Sequence, residues 1–133
     1  MATITRTILN EGLSKITIHL SLLSDGTQGE LVDYNILDPT ADFTPQLTRD
    51  DQLTLLCAWW GTSWFDVVLK FDALVPEPKW TFPRDCSNYI DFRSFGGLKD
   101  ASGTDHTGKV LITTNGFEPL GSQGTMIFEF RKN

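Results

Sequence analysis

Gln52-Leu-Thr-Leu-Leu-Cys-Ala-Trp-Trp-Gly-Thr-Ser-Trp-Phe-Asp-Val-Val-Leu-Lys-Phe-Asp72 decides how the rest of the chain is read. In its first arm Leu53, Leu55, Cys57 and Trp59 share one side, and Thr54, Leu56, Ala58 and Trp60 share the other. In its second arm Phe65, Val67, Leu69 and Phe71 oppose Asp66, Val68, Lys70 and Asp72. A period of two puts alternate side chains on opposite faces of a pleated strand. Gly61-Thr62-Ser63 reads as the hairpin loop between the arms. The first arm is apolar on both sides, which predicts a central strand covered on both faces, one cover being a partner subunit.

The same alternation recurs on either side of this stretch. Thr3–Leu9 is rich in Thr and Ile and reads as an extended N-terminal arm or as an ordinary first strand, broken at Asn10-Glu11-Gly12. Lys15–Leu22 sets Ile16, Ile18, Leu20 and Leu22 against Thr17, His19 and Ser21. Glu30–Leu37 alternates again, and turn residues from Ser24 to Gly29 predict a hairpin between the two. Residues 38–51 carry Pro39 and Pro45 without periodicity and read as a loop, with at most a helical turn at 48–51. Val75-Pro76-Glu77-Pro78 ends the second arm, because proline does not serve a central ladder. Trp80–Phe82 reads as a short edge strand and Cys86–Phe92 as a longer one. Gly96-Gly97 marks a bend or close approach, and 101–108 a polar loop. Lys109–Thr114 and Thr125–Arg131 are strands, with a turn at Asn115-Gly116.

About eight short strands without a long helical period predict an all-β fold, an antiparallel β-sandwich or jelly roll. The 133 residues fit one domain with a sizeable core. No apolar run nears the roughly 18 residues of a membrane helix. The N-terminus lacks a basic end followed by an apolar block, which predicts a protein made and assembled in a cytosol. A formal net charge of −6 argues against nucleic-acid binding, which needs a basic surface to displace counterions. Cys57 falls in the apolar alternation and reads as a small buried hydrophobe, and Cys86 as a second free thiol.

Catalytic motifs are missing from the sequence: no Gly-x-Ser-x-Gly, no phosphate-binding glycine loop, no His-Glu-x-x-His. His19 and His106 are far apart, and neither has an orienting partner that the sequence identifies. The expectation is a protein that is not an enzyme and carries no cofactor. Asp100 and Asp105, like Asp25 and Glu30, flank short polar loops of the kind that bind calcium, but their spacing fits no calcium loop and they read as solvated turn residues. The expectation is no metal.

Four tryptophans, Trp59, Trp60, Trp64 and Trp80, are many for this length. Trp59 and Trp60 are adjacent on a strand and must point to opposite faces. One enters the sandwich. The other lies under a loop, in a groove or at a subunit contact. Trp60 and Trp64 are the candidate interface residues in this half, and Ile4 and Ile8 in the N-terminal segment.

Met1-Ala-Thr-Ile-Thr-Arg6, Ile90-Asp-Phe-Arg-Ser-Phe-Gly-Gly-Leu-Lys-Asp100 and Gly108-Lys-Val-Leu-Ile-Thr-Thr-Asn-Gly-Phe117 resemble a group of small virion structural proteins of tailed bacteriophages. The resemblance runs along most of the chain and carries no residue-level motif. It implies a head decoration (cement) protein: a homotrimer on the capsid surface, bound to the major capsid protein and bracing the shell, assembled in the host cytoplasm, without nucleic acid or membrane as partner. The tryptophans and acidic loops support a competing expectation, a carbohydrate-binding or receptor-binding β-sandwich module of a phage tail.

Overall fold

The computed structural model describes residues 3–12, 14–24, 31–38, 53–100, 107–117 and 122–132. Within them the alternating segments form ten strands: β1 (Thr3–Glu11), β2 (Lys15–Leu23), β3 (Tyr34–Leu37), β4 (Leu53–Thr62), β5 (Asp66–Phe71), β6 (Glu77–Phe82), β7 (Ser87–Asp91), β8 (Leu98–Lys99), β9 (Val110–Asn115) and β10 (Gln123–Lys132). A single 3-10 turn at Arg93–Phe95 is the one helical segment among the described residues. None of them forms a helix long and apolar enough to cross a membrane.

The strands make two antiparallel sheets. Sheet A runs β1-β2-β10-β4-β7, with β8 also pairing β4, and sheet B runs β3-β9-β5-β6. The ladder has a simple origin. β2 pairs β10, β3 pairs β9, β4 pairs β7, and β5 pairs β6. The chain is therefore a long antiparallel double ribbon whose tip is the β5–β6 connection. Rolling that ribbon adds the β10–β4 and β9–β5 contacts and closes two sheets face to face.

Side-chain period does the rest. Ile16, Ile18, Leu20 and Leu22 of β2, Met126, Phe128 and Phe130 of β10, and Val67, Leu69 and Phe71 of β5 all point into one core. Burial of apolar area at about 25 cal/mol per Å² makes this layer the main source of stability. The sandwich predicted from the sequence is the one found. Ten strands replace about eight, largely because β8 is two residues long and has no periodic trace.

Two predicted hairpins are not hairpins. β4 and β5 lie in different sheets, so Gly61-Thr62-Ser63 leads into a crossing. The chain turns there at Trp64, whose φ of 75° leads away from sheet A. β2 and β3 are likewise in opposite sheets. The strand expected over 30–37 starts only at Tyr34, after Asp33 with φ 48°. Most of the loop expected at 38–51, with its helical turn, lies outside the described residues. The segment considered as an N-terminal arm is strand β1, paired with β2 from Thr3 to Glu11 with a bulge between Ile8 and Asn10.

β4 also departs from strict alternation. Glu129 faces Cys57 but Phe130 faces Leu55, so Leu56 is an extra residue, a β-bulge. Leu53 and Leu55 join the core before it, and Ala58 and Trp60 after it. The Leu56 carbonyl accepts a bond from Phe92 N at 2.8 Å, as the chain passes over the bulge from β7 to β8. Gly97 sits tightly against β4: an added Cβ would stand 2.5 Å from Thr54 Cγ2 and 3.0 Å from the Leu55 oxygen, at φ +87°. Its neighbour Gly96 has a similar φ of +89° but open space around it. Gly96→Ala is expected to cost only the left-handed strain, about 1 kcal/mol, whereas Gly97→Ala adds a clash and is expected to cost about 3 kcal/mol or more. Urea midpoints of the two variants check this, and equal losses would contradict it.

Candidate functional site

The outer face of sheet A is built from the side chains that β2, β10, β4 and β7 turn away from the core. Register sets them in rows. His19, Ile127, Trp59 and Tyr89 stand side by side in one row, and Ser21, Thr125, Gly61 and Ser87 in the next. The first row is tall at its β4–β7 end, where Trp59 and Tyr89 stack with ring centroids 4.7 Å apart and planes at 30°. The second row is low, because Gly61 has no side chain. The difference leaves an open trough of about 420 Å³ over Gly61, walled by Trp59 and Tyr89 and edged by Ser87, Asn88 and Thr125. It meets, at Gly61 and Thr125, a second depression of about 360 Å³ edged by Ser21, Ser63 and Gln123.

Charge is concentrated on the other side of the aromatic wall. There Cys57 stands between Glu129 and Asp91 in register. Arg93 donates from Nε to Asp91 Oδ1 at 3.0 Å and from Nη2 to Asp91 Oδ2 at 2.9 Å, and it reaches the Tyr89 hydroxyl at 3.4 Å. Those bonds hold the Asp91 carboxyl down at about 2. The Cys57 thiol is buried, and that burial, with the nearby Glu129 carboxylate, pushes its pKa up. It donates a long contact, 3.8 Å, to Glu129 Oε2. A raised thiol and a lowered carboxyl both keep their ordinary ionisation states at neutral pH, the opposite of the tuning that acid–base or nucleophilic chemistry uses. Among the described residues no group of three or more His, Cys, Asp or Glu is placed to hold a metal ion. His19 makes a 2.6 Å hydrogen bond with Thr125 Oγ1.

The residues singled out from the sequence are not brought together. Trp60 is 7% exposed, packs in the core and donates its indole N–H to the Pro83 carbonyl at 3.3 Å. It is therefore a core residue, and its neighbour Trp59, 40% exposed, is the one that faces outward. The bulge at Leu56 is the reason: it shifts the phase of the alternation between the two halves of β4. Trp64 is 56% exposed at the β4–β5 crossing. Ile4 packs partly against the core, and Ile8 is exposed, both on β1, which β2 and β10 separate from β4. Cys57 and Cys86 are free thiols. Of the weak acidic loops, Asp100 is buried, and Asp105, Asp25, Glu30 and also His106 lie outside the described residues. Sequence reasoning missed Gly61 and Tyr89. A glycine directly after the apolar run Leu55–Trp60 was the available signal, and it was absorbed into the supposed hairpin loop.

No protein-family model, curated protein or solved structure matches this chain.

Two outcomes follow from this geometry. Trp60→Ala is expected to cost about 3–5 kcal/mol of stability and Trp59→Ala less than about 1 kcal/mol, as read from denaturant unfolding. A reversed order would place the wrong indole in the core. Asp91 has a folded pKa depressed below the usual value of about 3.9. Its pairing with Arg93 thus favours the fold above that pH, and the contribution is lost as pH falls through about 2. An NMR titration is expected to show the Asp91 carboxyl titrating near about 2 and returning to the usual range in Arg93→Ala.

Proposed function

We propose that this chain is a head decoration (cement) protein of a tailed bacteriophage, a homotrimer bound to the major capsid protein on the outer surface of the virion. The observation that carries the reading is the state of β1. This strand ends sheet A, and no second strand pairs with its outer side among the described residues. Its side chains from Thr5 to Asn10 are exposed on both faces, including Ile8 at 39% and Leu9 at 53%. Folded proteins usually guard such an edge with charged side chains (lysine above all), proline, a bulge or a covering segment. Thr3–Glu11 contains neither lysine nor proline. The edge carries Arg6, Glu11 and the bulge between Ile8 and Asn10, yet Ile8 and Leu9 stay exposed beside it. Such a strand can take on a neighbouring chain by backbone pairing, the means by which a small protein can be fastened across a larger assembly.

The rolled double ribbon we read as a jelly roll, an architecture common to viral capsid domains, lectins and cupins. Architecture does not choose among those. The open edge and the sequence resemblance to virion proteins favour the first. The acidic balance supports it too, since a protein with a net charge of −6 is not drawn onto DNA.

Cosedimentation with capsids that lack the protein tests the reading, together with the mass of the free protein in solution. The expected result is saturable binding in multiples of three and a trimeric mass. Ile8→Lys is expected to lower occupancy about tenfold while leaving the unfolding midpoint unchanged. A protein that stays in the supernatant at every concentration has no such role.

A further inference from the structure

Gly61 lies inside β4, and neither the backbone nor the packing requires a glycine there. Its φ is not positive. An added Cβ would meet Ser87 Oγ at 3.4 Å and Ser87 Cβ at 3.6 Å, which are ordinary contacts. Glycine within a strand weakens it and often marks a bulge, a bend or the close approach of a ligand or another backbone. The bulge of β4 lies at Leu56, and the bend beyond Gly61 is made at Trp64. What the missing side chain does at this position is open the floor of the trough beside Trp59.

The chemistry around that floor is specific. One wall is the indole of Trp59, fixed by its stack on Tyr89. The edges come from Ser87, Thr125 and Asn88; the Thr125 hydroxyl is bonded to His19 at 2.6 Å, and Asn88 Oδ1 accepts from Tyr89 N at 2.8 Å. Among the described residues no Lys, Arg, Asp or Glu lines either depression. The guanidinium of Arg93, which reaches the Tyr89 hydroxyl, is bound by both oxygens of Asp91. Among the described lining residues a phosphate or carboxylate ligand would find no cation. A nucleic-acid strand would find an aromatic platform without the basic groove that tracks its backbone. A pyranose fits both features: it has an apolar C–H face to lay on an indole and a ring of hydroxyls to exchange bonds with serine, threonine and asparagine.

We propose that the trough over Gly61 binds a neutral oligosaccharide, with one sugar ring on the Trp59 indole and the next in the depression edged by Ser21, Ser63 and Gln123. The site stands apart from the capsid reading, because β4 is three strands away from β1 in sheet A.

The test is a titration of the isotope-labelled full chain with cellohexaose, maltohexaose and chitohexaose, followed by amide and indole NMR. A heparin hexasaccharide and a short oligodeoxythymidine serve as charged comparators. The expected result is saturable shifts of the Trp59 indole N–H and the Gly61 and Ser87 amides with at least one neutral sugar. Trp59→Ala is expected to weaken that binding about tenfold. Gly61→Thr is expected to abolish it without lowering the melting temperature, because a β-branched residue suits the strand and its Cβ has room. Three outcomes overturn the proposal: no shift with any of the three neutral sugars, equal shifts with a charged comparator, or undiminished binding by Gly61→Thr. None of them bears on cosedimentation with capsids.

Discussion

The separation and alignment of the two sheets depend on one column of aromatic rings. Phe82 of sheet B inserts between residues of sheet A, with its ring centroid 5.1 Å from Trp60 and 5.5 Å from Phe128. Phe128 continues the column to Phe130 at 6.1 Å. Tilted contacts at these distances are favourable beyond the area they bury. Phe82 belongs to β6, the edge of sheet B, where Pro78 shares in the ladder and Pro83 follows the strand. An edge strand so interrupted gains less from backbone pairing than from its ring. Trp60 adds a second hold, since its indole N–H binds the carbonyl of Pro83, where the chain leaves sheet B for sheet A. One side chain thus packs the core and pins a crossing.

That role for Trp60 is possible only because β4 is bulged at Leu56. Without the extra residue, the phase that puts Leu53 and Leu55 inside would put Cys57 and Trp59 inside as well. With it, Ala58 and Trp60 turn inward, and Cys57 and Trp59 turn to the outer face. The bulge is itself held from outside: Phe92 N binds the Leu56 carbonyl, and Gly97 passes at a distance that no other residue allows. The bulge, the turn at Arg93–Phe95 and Gly97 form one local unit. The outward indole is a consequence of that unit.

The periodic strands were legible in the sequence because side-chain alternation is a local property. Lys15–Leu22, Phe65–Asp72, Lys109–Thr114 and Thr125–Arg131 all fall on strands, and the apolar positions named in β2, β5 and β10 point into the core. The pairing of strands was not legible. In a rolled ribbon only β1 with β2 and β5 with β6 are both consecutive and paired. Elsewhere a turn-forming stretch marks where the chain bends and not which sheet it enters. Gly61-Thr62-Ser63 reads as a hairpin loop and Asn115-Gly116 as a turn, and both lead across the sandwich. The two crossings in fact meet: a Cβ on Gly116 would lie 2.6 Å from the Trp64 carbonyl oxygen. Arg84 of a third crossing ties them together through bonds to both oxygens of Asp66 and to the Asn115 carbonyl.

The same distinction explains why the sequence did not decide which of the two adjacent indoles faces outward. Adjacent tryptophans announce that one indole faces outward, but which one depends on the bulge, and a bulge is set by nonlocal contacts from β7, β8 and β10. Among the charges on this face, one pair does more than solvate it. Exposed ion pairs add little to stability. Asp91 and Arg93, though, form a bidentate pair, and the same guanidinium reaches the Tyr89 hydroxyl. Tyr89 in turn stacks on Trp59. The exposed indole is thus backed by a ring whose own hydroxyl is held. Rings ordered before a ligand or partner arrives forfeit less freedom on contact. Electrostatics on this face therefore act through geometry: the pair contributes little to holding the fold together and much to keeping the aromatic wall in one orientation.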